Sequence, residues 1–216
     1  MTQTAKSRLV NALTFARVPL IGLWLVCAVV HEFALASGPA ESLWLAFVAG
    51  LAMFLSGLTD LWDGKLARKW QVVSALGKMA DPLMDKVFYI IAFPALTWQI
   101  LHQGVSEIHA LAMLGFTILY MLRDTWVTFL RAVGAMYGAD VSAMWLGKVR
   151  TALSFPGAGW VYAYCAFHGL APESWQTPWL MSCYAVEFAL AALTLWSLGT
   201  YTRAYAPYLK KALGRA

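Results

Sequence analysis

Residues 60–85 read DLWDGKLARKWQVVSALGKMADPLMD and set Asp60, Asp63, Gly64, Ala67, Arg68, Gly77, Asp81 and Asp85 at fixed intervals. The stretch holds four of the chain's eleven acidic residues, between two runs apolar enough to enter a bilayer. A carboxylate at the bilayer centre costs roughly 2.5–3.5 kcal/mol on insertion scales, so acid in this setting points to function. Asp60 and Asp63 stand three apart, and Asp81 and Asp85 four apart, so on helices each pair shares one face and can aim at a common centre. Gly64 leaves a gap beside the first pair, where a ligand can come close to the backbone. Four bare carboxylates in one low-dielectric pocket would repel one another and force some to take up protons. Two divalent cations would neutralise all four. Hard oxygen ligands suit Mg2+ or Mn2+, and two-metal centres serve in-line phosphoryl chemistry.

The surrounding chain is that of a membrane protein. Its 216 residues are 61% hydrophobic and 12% charged, with a mean hydropathy of +0.62, which excludes an ordinary soluble domain. Windows of about 20 apolar residues predict an all-α, polytopic fold with six transmembrane helices near 18–36, 43–64, 82–101, 109–130, 148–168 and 178–200, in a single domain over 1–216. Residues 1–16, with Lys6 and Arg8, read as a short amphipathic segment on the membrane surface. Pro82 reads as a residue of the first turn of the third span.

Lysine and arginine concentrate before span one, between spans two and three, between four and five, and after six; the alternate connections carry Glu32, Glu41, Glu107 and Glu173 instead. The positive-inside rule then predicts that both termini and the acidic stretch face the cytoplasm. The net charge of +5 reflects this topology and contact with anionic lipid, not nucleic-acid binding. Cys27, Cys165 and Cys183 lack metal-ligand spacing and read as packing residues. His31, His102, His109 and His168 fall at the opposite side from the acids and read as solvated or interfacial. The tryptophans near span ends, such as Trp44, Trp98, Trp145 and Trp179, fit interfacial belts.

The residues from Asp60 to Asp85 match D-x2-D-G-x2-A-R-x8-G-x3-D-x3-D at every fixed position, and in this the chain resembles the CDP-alcohol phosphotransferases. A structural ion-pair cluster or a cation pathway is the competing reading of the acids, although neither needs Gly64, Ala67, Arg68 and Gly77. For Gly77 a plain turn glycine competes with a helix approaching substrate. Asn11, Thr14 and Arg17 resemble the N-x2-T-x2-R segment that opens several family members, where it approaches the nucleotide. A helix cap at Asn11 or Thr14 and a snorkelling anchor at Arg17 fit them equally.

A second region narrows the resemblance. Arg123-Asp124 followed by Arg131, then Trp145-Leu146-Gly147-Lys148-Val149-Arg150-Thr151, resembles the branch that uses glycerol 3-phosphate, the phosphatidylglycerophosphate synthases. Relatives often place serine just before the tryptophan; here it is Met144. Arg123, Arg131, Lys148 and Arg150 form the expected acceptor pocket, since arginine's rigid fork suits a phosphate, with a structural Arg123–Asp124 pair as the alternative.

The resemblance implies transfer of a phosphatidyl group from CDP-diacylglycerol to glycerol 3-phosphate at the cytoplasmic face of a bacterial inner membrane, by a homodimer. Asp60, Asp63, Asp81 and Asp85 would hold two divalent cations, Asp85 would also be the general base, and Asn11, Thr14, Arg17, Gly64, Ala67, Arg68 and Gly77 would meet the donor nucleotide. Inositol phosphate, serine, phosphatidylglycerol and choline are alternative acceptors, and a cation transporter is the alternative outside the enzyme class.

Overall fold

The computed structural model describes the backbone of residues 2–35, 39–72, 75–140, 142 and 144–214; the side chains at 39–41, 75, 76, 78, 79, 81 and 82 lie outside the described set. Six long helices follow one another: α1 (Gln3–Leu35), α2 (Pro39–Trp70), α3 (Ala75–Gln103), α4 (Glu107–Met136), α5 (Trp145–Phe167) and α6 (Glu173–Ala212). The described residues contain no strand. The shortest helix, α5, has 23 residues, which at about 1.5 Å per residue outreaches the ~30 Å hydrocarbon core. Among the described residues α1, α2, α4 and α6 are long and apolar enough to cross a membrane by composition alone. Helix α3 carries Asp81, Asp85 and Lys86, and α5 carries Lys148 and Arg150. Each of the six expected spans coincides with one helix.

The helix ends show why the chain reverses where it does. At the end of α2, Gln71 adopts φ 53°, its N–H donates to the Arg68 carbonyl and the Val72 N–H to the Ala67 carbonyl. That pair of bonds is a Schellman stop, built here on a non-glycine residue. It turns the chain so that α3 returns toward the acids of α2. At the start of α4, the Ser106 hydroxyl caps the His109 N–H at 3.2 Å.

Close packing rests on small and aromatic residues. Ala46, Ala49 and Ala52 put a small face of α2 into the core, beside Ile21 and Trp24 of α1, as helices do where hydrophobicity cannot drive them together. Tyr89 and Phe93 of α3 lie against Tyr120 of α4, with ring centroids 5.0 and 4.8 Å away. This aromatic layer lies behind the functional site. Outward-facing Phe47, Phe54, Phe188 and Trp196 are exposed, the surface that lipid requires.

Three expectations need adjustment. The amphipathic N-terminal stretch is continuous with the first span, because α1 is helical from Gln3. Helix α3 begins at Ala75, so Pro82 lies beyond its first turn; hydropathy registers only the apolar part of a helix whose first turns border a polar site. The largest correction concerns histidine. His31 and His109 are fully buried, not solvated: His31 Nδ1 bonds the Ser42 carbonyl at 3.0 Å and His109 Nε2 lies 2.7 Å from Glu187. Partners on other helices make these burials tolerable, and sequence position does not reveal such partners.

Candidate active site

The acid cluster is assembled from three helices. On α1, Thr14 and Arg17 lie one turn apart and both face inward; Asn11 is one turn earlier on the same face. Helix α2 supplies Asp60 and Asp63, and α3 supplies Asp85. Arg17 Nη2 lies 2.5 Å from Asp60 and 2.7 Å from Asp63, while Nη1 lies 3.1 Å from Asp85. The Thr14 hydroxyl donates to the same Asp63 oxygen at 2.7 Å. Arg17 is only 3% exposed, so it is neither a snorkelling anchor nor lipid-facing. Asp81 lies in the early part of α3, and its side chain is outside the described residues.

The cluster fits metal by its donor chemistry. Three carboxylates from two helices gather on one cation, and every donor is a hard oxygen. Among the described residues no three acidic, histidine or cysteine side chains are set as ligands of one ion, because the guanidinium occupies the middle of the group. A side chain at Gly64 would meet only the far end of Arg68, at 3.8 Å. Protein packing therefore does not require glycine there. Ala67 is half-buried, Arg68 is exposed, and Gly77 lies in the first turn of α3.

From Asp85 a cleft opens toward the second half of the bundle. It is lined by Asp85, Lys86, Arg123, Arg131, Arg150 and Tyr201, among others. Asp124 Oδ1 accepts from Arg123 at 2.9 Å and from Arg150 at 2.5 Å. Arg123 is also held by the Ser197 hydroxyl and lies over the Tyr201 ring at 5.0 Å; Arg150 lies 3.9 Å over Tyr120. Both guanidinium groups are buried, and Arg123 Nε and Arg150 Nε and Nη1 have no hydrogen-bond partner among the described residues. Buried donors without partners are costly.

The structure thus joins three of the four expected cationic residues. Lys148 is exposed and outside the cleft lining, since two residues along a helix point to nearly opposite sides and Arg150 points in. Lys86, Tyr89, Thr128, Ser197 and Tyr201 belong to the site but escape sequence reading. For Lys86 the only available signal was its place beside Asp85.

Tyrosines of α6 pin the connection that leads into α5, the helix of Gly147 and Arg150. Tyr201 Oη accepts from the Met144 N–H at 2.8 Å, and Tyr205 Oη donates to the Asp140 carbonyl at 2.9 Å. Met144 occupies the N-cap of α5 without a side-chain bond, so the Tyr201 bond does the holding there. In the same connection the N–H and hydroxyl of Ser142 hold the Asp140 carboxyl below the usual carboxylate range.

Helices long and apolar enough to cross a membrane, with an acid cluster opening on a cleft lined by buried arginines, mark an integral membrane protein with a site of opposed charges. The chain belongs to the CDP-alcohol phosphatidyltransferase family, whose model matches residues 8–196. It is 28% identical over 190 residues to a CMP-forming cardiolipin synthase of Streptomyces coelicolor, covering 82% of this chain and 80% of the relative. It is 29% identical over 161 residues to the CDP-diacylglycerol–glycerol-3-phosphate 3-phosphatidyltransferase of Escherichia coli K12, covering 74% and 80%.

Proposed function

We propose that this enzyme transfers the phosphatidyl group of CDP-diacylglycerol to glycerol 3-phosphate, giving phosphatidylglycerophosphate and CMP, at the cytoplasmic face of a bacterial inner membrane. The observation that carries the reading is the cleft that runs from Asp85 to Arg123, Arg131 and Arg150. In it the three guanidinium groups of Arg123, Arg131 and Arg150 face one carboxylate, Asp124, so this group carries two net positive charges, while Asp85 is engaged by Arg17. Two positive charges complement a phosphomonoester dianion. The phosphodiester of a lipid acceptor carries one negative charge and would leave the cleft unbalanced.

Asp60, Asp63, Asp81 and Asp85 are the residues that would hold two divalent cations, Mg2+ or Mn2+, which when bound neutralise pyrophosphate charge and stabilise the departing CMP. The remaining work falls to the protein. Arg123 and Arg150, fixed by Asp124, orient the acceptor's phosphate and turn a two-substrate encounter into an aligned one. A carboxylate oxygen of Asp85 takes the proton of the acceptor hydroxyl as the hydroxyl's own oxygen bonds to the phosphatidyl phosphorus and the bond to CMP breaks. Gly64 and Ala67 leave room for the donor. A site at the interface serves a donor whose acyl tails stay in lipid and whose nucleotide stays in water.

The second reading, phosphatidylglycerol as acceptor, is favoured by the similarity to the Streptomyces protein named as a cardiolipin synthase. CMP release from CDP-diacylglycerol in detergent with Mg2+ or Mn2+ separates them. Release that requires glycerol 3-phosphate supports the proposal; release that requires phosphatidylglycerol replaces it.

A further inference from the structure

We infer that Arg17 is an internal counter-cation that competes with a divalent ion for the carboxylates of Asp60, Asp63 and Asp85, and so sets how tightly the enzyme holds its metal. The inference rests on the metal reading above. Its basis is the position of one side chain. Arg17 is carried on α1, which supplies none of the four motif aspartates, yet two of its nitrogens reach three carboxylates on α2 and α3 at 2.5–3.1 Å. A guanidinium buried to 3% exposure would be costly without these anions. The acids therefore hold the arginine in place as firmly as the arginine holds them together.

The arrangement has a direction. Asp63 is buried and receives both Thr14 and Arg17, whereas the Asp60 and Asp85 side chains are 44% and 38% exposed. An ion arriving from water meets Asp60 and Asp85 first. Binding both of them displaces Arg17 from two of its three described carboxylate partners and leaves it on Asp63 beside Thr14. Among these four side chains the single guanidinium leaves two negative charges uncompensated, enough to attract a dication, while its own charge opposes that ion at close range. Arg17 thereby keeps the three helices joined and also weakens metal binding.

The test is Mn2+ binding to the purified full-length chain without any CDP-lipid, followed by the loss of the free-ion paramagnetic resonance signal, with thermal melting measured beside it. Arg17→Gln removes the charge and is expected to bind Mn2+ at least about tenfold more tightly than the unmodified chain. It should also melt lower in chelator and recover on adding Mn2+. Arg17→Lys presents one nitrogen where arginine presents two, and its affinity should fall between the other two. Should Arg17→Gln fail to fold even with Mn2+, the lysine variant decides alone. Equal or weaker Mn2+ binding in the folded variants overturns the competition while leaving the metal site intact. Absence of Mn2+ binding by the unmodified chain overturns the metal reading together with this inference.

Discussion

The sharpest test of the cleft is a single methyl group. A Cβ placed on Gly147 would sit 2.9 Å from Tyr201 Oη and 3.3 Å from Arg123 Nη2. The first distance is shorter than side chains tolerate, so Tyr201 must move, and it is the hydroxyl that accepts the Met144 N–H at 2.8 Å. Overpacking of this kind costs about 1–3 kcal/mol. Displacing Arg123 by a few tenths of an ångström adds a functional loss: 1–2 kcal/mol of acceptor binding is roughly a five- to thirtyfold rise in KM. Gly147→Ala should therefore lower the melting temperature of the detergent-solubilised enzyme and raise the KM for glycerol 3-phosphate, with the KM for CDP-diacylglycerol little changed. Tyr201→Phe alone should cost about 1 kcal/mol, the worth of its hydrogen bond. The double variant removes the clashing oxygen, so its loss should be smaller than the sum of the single losses by at least about 1 kcal/mol. Additive losses would refute the claim that the glycine exists to admit Tyr201.

Further expectations concern roles within and outside the cleft. Asp85→Asn should fold normally and lose turnover by roughly 100-fold or more; near-normal initial rates would remove it as the base. Arg150→Ala should chiefly raise the acceptor KM, whereas Lys148→Ala, exposed and outside the cleft, should leave both KM values within about twofold in steady-state assays, since a solvent-exposed charge contributes little. Glu187→Ala leaves buried His109 Nε2 without its partner at the opposite end of the bundle; it should destabilise the protein by about 1–3 kcal/mol while the acceptor KM, measured below the melting transition, stays the same.

Helical architecture was legible in the sequence because spans of apolar residues and their punctuation follow from the bilayer alone. The acid cluster was legible because its spacing repeats a helical face. Asp60, Asp63 and Asp85 do converge. What spacing cannot express is contact between helices distant in sequence. Arg17 read as a snorkelling anchor or as a nucleotide ligand, and only the packing of α1 against α2 and α3 puts it among the carboxylates. The burial of Glu32, which a loop-charge reading set at the membrane surface, has the same origin: Gln99 and Gln103 of α3 both donate to its Oε1 at 2.9 Å. Lys148 and Arg150 look alike in one motif, and helical rotation separates them.

The distribution of these bonds explains how one end of the bundle is closed and the other open to substrate. At the end opposite the acids, polar pairs cross four helix boundaries: Glu32 with Gln99 joins α1 to α3, Gln103 with the Cys165 carbonyl joins α3 to α5, His31 with the Ser42 carbonyl joins α1 to α2, and His109 with Glu187 joins α4 to α6. At the acid end the strong ties lie within two groups. Arg17 binds α1, α2 and α3 into one, while Asp124 and Ser197 bind α4, α5 and α6 into the other through the two arginines. Among the described residues the side-chain bonds across the cleft are lighter: Lys86 with Thr128 at 2.8 Å and Tyr89 with the Thr151 carbonyl at 3.0 Å. The first is an exposed hydrogen bond, and solvent competes for it at little cost. The two separately braced groups therefore meet at Asp85. On the proposed reaction one group would deliver the hydroxyl and the other the phosphorus it attacks, so a proton acceptor is expected at such a junction.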